Sequence, residues 1–146
     1  MAIKITLTGV EELIKKIEKA NGNIEIASEK CIRESAEIMQ AELKTAMRTS
    51  KGGVSENLIN RMPNYTIENN GAKVTAHVGY RSTSFNPKNP SDYHKAIFAN
   101  YGTPHRKQHG QEKARRFVAK AKRSAKPKIK SQQEETLNAI LKDLTK

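Results

Sequence analysis

Eleven lysine and arginine side chains fall between Gly102 and Ser131, opposed there by a single acid, Glu112. They are Arg106, Lys107, Lys113, Arg115, Arg116, Lys120, Lys122, Arg123, Lys126, Lys128 and Lys130. Such a cluster attracts polyanions by releasing their condensed counterions, an effect that weakens steeply with salt. Its plain counterpart is a solvated helix face, the usual meaning of a charge run; the one-sidedness here favours a partner. Arg106, Lys107, Arg115, Arg116, Lys120, Lys122, Arg123 and Lys126 form the candidate interaction surface. Phe117 is the only aromatic within it and offers no stacking platform for single strands. With Val118 it reads instead as the apolar anchor that holds the basic stretch on the domain.

The remaining candidates for chemistry are weaker. His105 and His109 are spaced i, i+4, with His94 nearby in sequence. No Glu follows His105 as it does in a zinc-binding helix, Pro104 and Gly110 argue against a helix there, and no Cys or Asp lies close, so no metal is expected. Cys31, the only cysteine, excludes an intrachain disulfide and a multi-cysteine zinc site. It lies on an apolar stripe and reads as a small core residue. Glu11, Glu12, Glu18, Glu25, Glu29, Glu34, Glu37 and Glu42 interleave with lysines at helical spacing, as solvated faces do. With no nucleophile–base pair, phosphate loop or paired-carboxylate motif, neither an enzyme nor a cofactor is expected.

These residues need elements to hold them. A chain of 146 residues is the size of one domain, and 36% hydrophobic residues with no Trp suggest a thin core under charged helical faces. One domain over 1–146 is expected. Charge is uneven along it: residues 1–60 carry nine basic and nine acidic side chains, whereas 102–131 carry a net +10 of the total +12. No apolar run approaches the roughly 20 residues needed to span a bilayer, and the N-terminus lacks signal-peptide features, so a soluble protein made in a cytoplasm, with no membrane partner, is expected.

Ile3, Ile5 and Leu7 alternate like a strand. Thr8-Gly9-Val10-Glu11 has the form of a capping box, opening a helix whose apolar face is Val10, Leu13, Ile14 and Ile17 and whose stop is Asn21-Gly22. A longer helix is expected from Asn23 to about Met47, with Ile24, Ala27, Cys31, Ile32, Ala36, Met39, Leu43 and Met47 on one stripe. Lys51-Gly52-Gly53 breaks it, and Ser55 is placed to cap a short turn through Leu58, Ile59 and Met62. Tyr65 and Ile67, then Val74, Ala76 and Val78, read as a β-hairpin around Asn69-Asn70-Gly71. Arg81 to Asp92 reads as an exposed loop, either a second contact surface or a segment disordered in isolation. Tyr93 to Tyr101 is apolar enough to be buried, as helix or strand, and Gly102-Thr103-Pro104 ends it. Pro127 fits the first turn of a last helix carrying Ile129, Leu137, Ile140, Leu141 and Leu144.

In this order the pieces Gly9-Val10, Glu29 to Met47, Asn57-Leu58, Val78-Gly79, Tyr93 to Thr103, Ala114-Arg115-Arg116-Phe117-Val118 and Ser131 to Leu144 resemble the HK-ninety-seven gene-product-ten-like family of tailed-phage minor tail or tail-completion proteins. The likeness spans nearly the whole chain. Asn100 and Arg116 stand where the family commonly has an acidic residue and a proline. The resemblance implies an α+β fold, helices packed on a small antiparallel sheet, acting as a neck protein in head-to-tail joining. Implied partners are a connector or stopper ring, the tail terminator or tail tube, and non-specifically the packaged DNA. A homo-oligomeric ring in the virion is implied, weakly associating or monomeric alone, assembled in the host bacterial cytoplasm. The alternative from charge alone is a small basic DNA-binding regulatory protein.

Overall fold

The alternation in the first residues forms a strand, β1 (Ala2–Ile5), with Ile3 and Ile5 buried and Ala2 and Lys4 exposed. The computed structural model describes residues 2–7, 9–71, 73–103 and 114–146. After β1 come α1 (Glu11–Lys19), α2 (Ile24–Thr49), α3 (Glu56–Asn60), β2 (Thr66–Asn69), β3 (Val74–Gly79), α4 (Asp92–Tyr101) and α5 (Phe117–Leu144). The described residues are therefore α+β, with two long helices and a three-stranded antiparallel sheet in the order β1-β3-β2. Ile3 faces Val78 and Ile5 faces Ala76 across one ladder, and Ile67 faces Ala76 across the other.

Asn23 caps α2 by accepting the Ile26 amide at 3.1 Å, which satisfies one of the donors a helix start leaves free. Ala27, Cys31, Ile32, Ala36, Met39, Leu43 and Met47 are buried, so the apolar stripe is the packed face. That helix lies on the sheet through β3 and carries α5 along its length. The main core joins Ile3, Ile5, Ala76 and Val78 of the sheet to Ile32, Ala36 and Leu43 of α2, Ile59 of α3, Ala96 of α4, and Phe117, Ala121 and Ala125 of α5. A smaller cluster of Val10, Ile17, Ala27, Cys31 and Leu137 joins α1 to both long helices. Between α1 and α2, Gly22 is needed for close approach: a Cβ there would lie 2.5 Å from carbons of both Ile17 and Leu144.

Five expectations are corrected. Val10 rather than Thr8 sits at the N-cap of α1, with no side-chain cap bond; Glu11 Oε1 accepts the Gly9 amide at 3.2 Å, and Thr8 lies outside the described residues. Ser55 occupies the N-cap of α3, yet its hydroxyl makes no cap bond. Asp92 is the first residue of α4 and not part of the preceding loop. Tyr101 is 66% exposed, because burial on α4 follows Ala96, Ala99 and Asn100 instead.

The largest correction is to α5, which starts ten residues before Pro127 and holds that proline in its interior. Proline removes the amide that would bond the Arg123 carbonyl, costing about 3 kcal/mol in an unsupported helix. Burial of Phe117, Val118, Ala121 and Ala125 before it and Leu137 after it offsets that cost. Helix continuity here is set by packing, not by propensity.

Candidate interaction surface

Residues 114–131 carry eight cations and no acid, and the turn of α5 divides them. Residues four apart on a helix share a face. Lys122, Lys126 and Lys130 form one row, lining a groove with Ile3, Lys4, Ile5 and Thr6 of the β1 segment. Lys128 lies on the opposite flank, where its ammonium donates to the Glu42 carboxylate of α2. Arg115 is elsewhere again, lining a cleft of about 280 Å³ with Ser55, Arg61, Asp92, Lys95 and Phe98. Lys120, Arg123 and Arg116 are exposed. The basic stretch is thus several surfaces rather than one. Arg106 and Lys107, like His105, His109 and Lys113, lie outside the described residues.

Glu42 also receives a hydrogen bond from Ser124, and the Lys128 bond followed by this one holds its carboxyl below the usual carboxylate range. A lowered folded pKa means the ionised form supports folding at neutral pH, and that support is lost as pH falls through the lowered value. Since Lys128 is largely exposed, the gain is less than about 1 kcal/mol. Urea midpoints of wild type and Glu42→Gln should therefore differ slightly at pH 7 and converge in acid.

Phe117 is fully buried and Val118 nearly so, at the first two positions of α5. How this helix begins was not legible in sequence. Arg116 precedes it with φ +50° and contributes no side-chain cap. The cap comes from α4: Asn100 Oδ1 accepts the Val118 amide at 3.0 Å, and its carbonyl accepts the Arg116 amide at 3.0 Å. The Ala99 carbonyl accepts the Arg115 amide at 3.1 Å. A proline in place of Arg116 could not adopt that φ and would delete the bond to Asn100.

Farther along, α5 is tied to α2 by polar groups inside the interface. Gln133 Nε2 donates to Ser35 Oγ at 3.1 Å, and Ser35 Oγ lies 2.8 Å from the Cys31 carbonyl and 3.0 Å from Gln132 Oε1. Gln132 and Thr136 both donate to Glu34. Buried polar groups satisfied in this way fix the register of two helices, because sliding by one turn would orphan several of them. Of these residues only Glu34 carries a reading from sequence, as part of a solvated helix face; the pairing alone identifies Ser35, Gln132, Gln133 and Thr136.

Cys31 is fully buried, and its thiol lies 3.8 Å from the Gln133 carbonyl. Burial, then the nearby Glu34 charge, pushes the thiol pKa up to about 12, so at neutral pH it is protonated and inert. A thiol-reactive dye should label the native protein no faster than it unfolds. Labelling at the rate of a free thiol would contradict that burial.

The loop from Arg81 to Asn89 is exposed, but it is attached. The Phe85 ring packs 5.0 Å from His94 and edge-on to Phe98 at 6.0 Å, while Thr83 and Ser91 share a hydrogen bond of 2.6 Å. Among the described residues, no group of three or more His, Cys, Asp or Glu side chains is arranged to hold a metal, and no helix is long and apolar enough to cross a membrane. No family model, curated protein or solved structure matches this chain.

Proposed function

We propose that the chain is a structural neck protein of a tailed phage or prophage, completing the tail and taking part in head-to-tail joining. The observation that carries this reading is the order of its pieces: strand, helix, long helix, leucine-bearing turn, hairpin ending in Val78-Gly79, helix ending in Tyr101-Gly102-Thr103, and a basic segment opening the last helix. Its work is done by surfaces, not by catalysis. The basic faces of α5 meet DNA in the channel or acidic faces of neighbouring ring proteins, and the 81–91 loop meets another neighbour.

Deleting the gene should leave filled heads and separate tails, and purified protein should add to tails or connector rings. Particles that join heads normally without it would sink the proposal. A DNA-binding regulator, favoured by the eight cations that residues 114–131 carry with no acid among them in sequence, predicts something different. It requires tight duplex binding at physiological salt with a steep salt slope, whereas a neck protein binds free DNA weakly and without sequence preference.

A further inference from the structure

The free edge of β1 and the lysine row of α5 face the same groove, and among the described residues the edge has no partner strand and the row no ion pair. β1 pairs with β3 on one side only, so alternate backbone amides and carbonyls on its other side have no partner strand among the described residues. The groove beside it has a volume of about 420 Å³; half-buried Ile129 supplies apolar surface over a floor of buried Ile3, Ile5 and Met39, and Lys4, Lys122, Lys126 and Lys130 supply charge. Among the described residues no acidic side chain lines it, and none of the four lysines is in an ion pair. We propose that this groove is a strand acceptor, taking an extended acidic segment of a partner protein as a fourth strand beside β1.

The dimensions agree. From Lys122 to Lys130 the helix rises about 12 Å, and the four residues of β1 span about 13 Å. Lysines four apart recur every 6 Å or so along α5, while side chains on one face of a strand recur about every 6.6 Å. A segment with Asp or Glu at every second position would thus set successive carboxylates against successive lysines. Its backbone would pair with β1, and its intervening residues would point to the other face.

Charge also selects among occupants. A second copy adding its own β1 would bring another Lys4 and another lysine row, so like charges oppose symmetric edge-to-edge pairing. A nucleic acid could use the lysines, but it has no strand backbone to satisfy the β1 edge and no use for the apolar surface. An acidic strand matches all three features. This inference goes beyond the neck reading and is tested apart from it, since purified protein and a peptide suffice.

The probe is a fluorescein-labelled nine-residue peptide with Glu at alternate positions and Thr between, titrated into the full chain by fluorescence anisotropy. Its twin carries N-methyl groups on the backbone nitrogens of one edge, which keep the charge and block strand pairing. The peptide should bind saturably, the methylated twin at least about tenfold more weakly, and Lys126→Glu should lose at least about tenfold, with β1 amides gaining hydrogen-exchange protection on binding. The methylated twin leaves the protein unaltered, so its result does not depend on how a variant folds. Equal binding of the two peptides, no binding at all, or displacement by a 20-base-pair duplex at physiological salt would each overturn the proposal.

Discussion

Phe117→Ala is expected to destabilise the protein by about 4 kcal/mol, within the usual range for emptying a buried phenylalanine site. The ring is fully buried in the main core, at the first position of α5, where it joins β-sheet, α2 and α5 residues in one cluster. For a domain of this size the melting temperature should fall by roughly 10 °C or more. Phe117→Leu should keep most of that stability, because it restores most of the apolar volume. Denaturant titration of the three proteins is the check; an alanine variant that melts with wild type would mean the ring is not holding the helix. The consequence reaches the surface, since the groove lysines are five, nine and thirteen residues along the helix that Phe117 starts.

Asn100→Ala is the second large effect, expected at about 2 kcal/mol. The side chain is 3% exposed, and its oxygen is the cap acceptor for the buried start of α5. Removing it leaves the buried Val118 amide without the acceptor it has in the native fold, the costly case for a hydrogen bond, on top of the ordinary loss of a helix cap. Asn100→Asp should be milder, because a carboxylate accepts the same bond and favours the positive end of the helix. Equal loss for alanine and aspartate would show that the amide nitrogen, not the oxygen, is the important group.

Much of the architecture was legible because it depends on local periodicity. The α2 stripe states which face is apolar and burial follows it, and the alternation of Val74, Ala76 and Val78 marks a strand in which Ala76 and Val78 are buried, although Thr75 on its other face is buried too. Legibility failed where a distant partner overrides a local signal. Pro127 reads as a helix start, yet α5 passes through it because Phe117 to Ala125 are buried against other elements. Arg116 lacks a capping side chain because the cap acceptor is Asn100, sixteen residues earlier. Tyr101 is hydrophobic in a hydrophobic run, yet the helix turns it to solvent.

The same division applies to the charge that dominates the chain. By itself the sequence determines that the positive charge is concentrated in 102–131 with Glu112 its one acid there, since charge is additive along a chain and needs no geometry. It determines too that Phe117 is the one aromatic there. Only tertiary structure decides which cations act together. The 3.6-residue turn of α5 sends Lys128 to Glu42 of α2 and Lys122, Lys126 and Lys130 to the free edge of β1. That edge is itself invisible in sequence, because strand order is set by pairing between residues more than seventy positions apart.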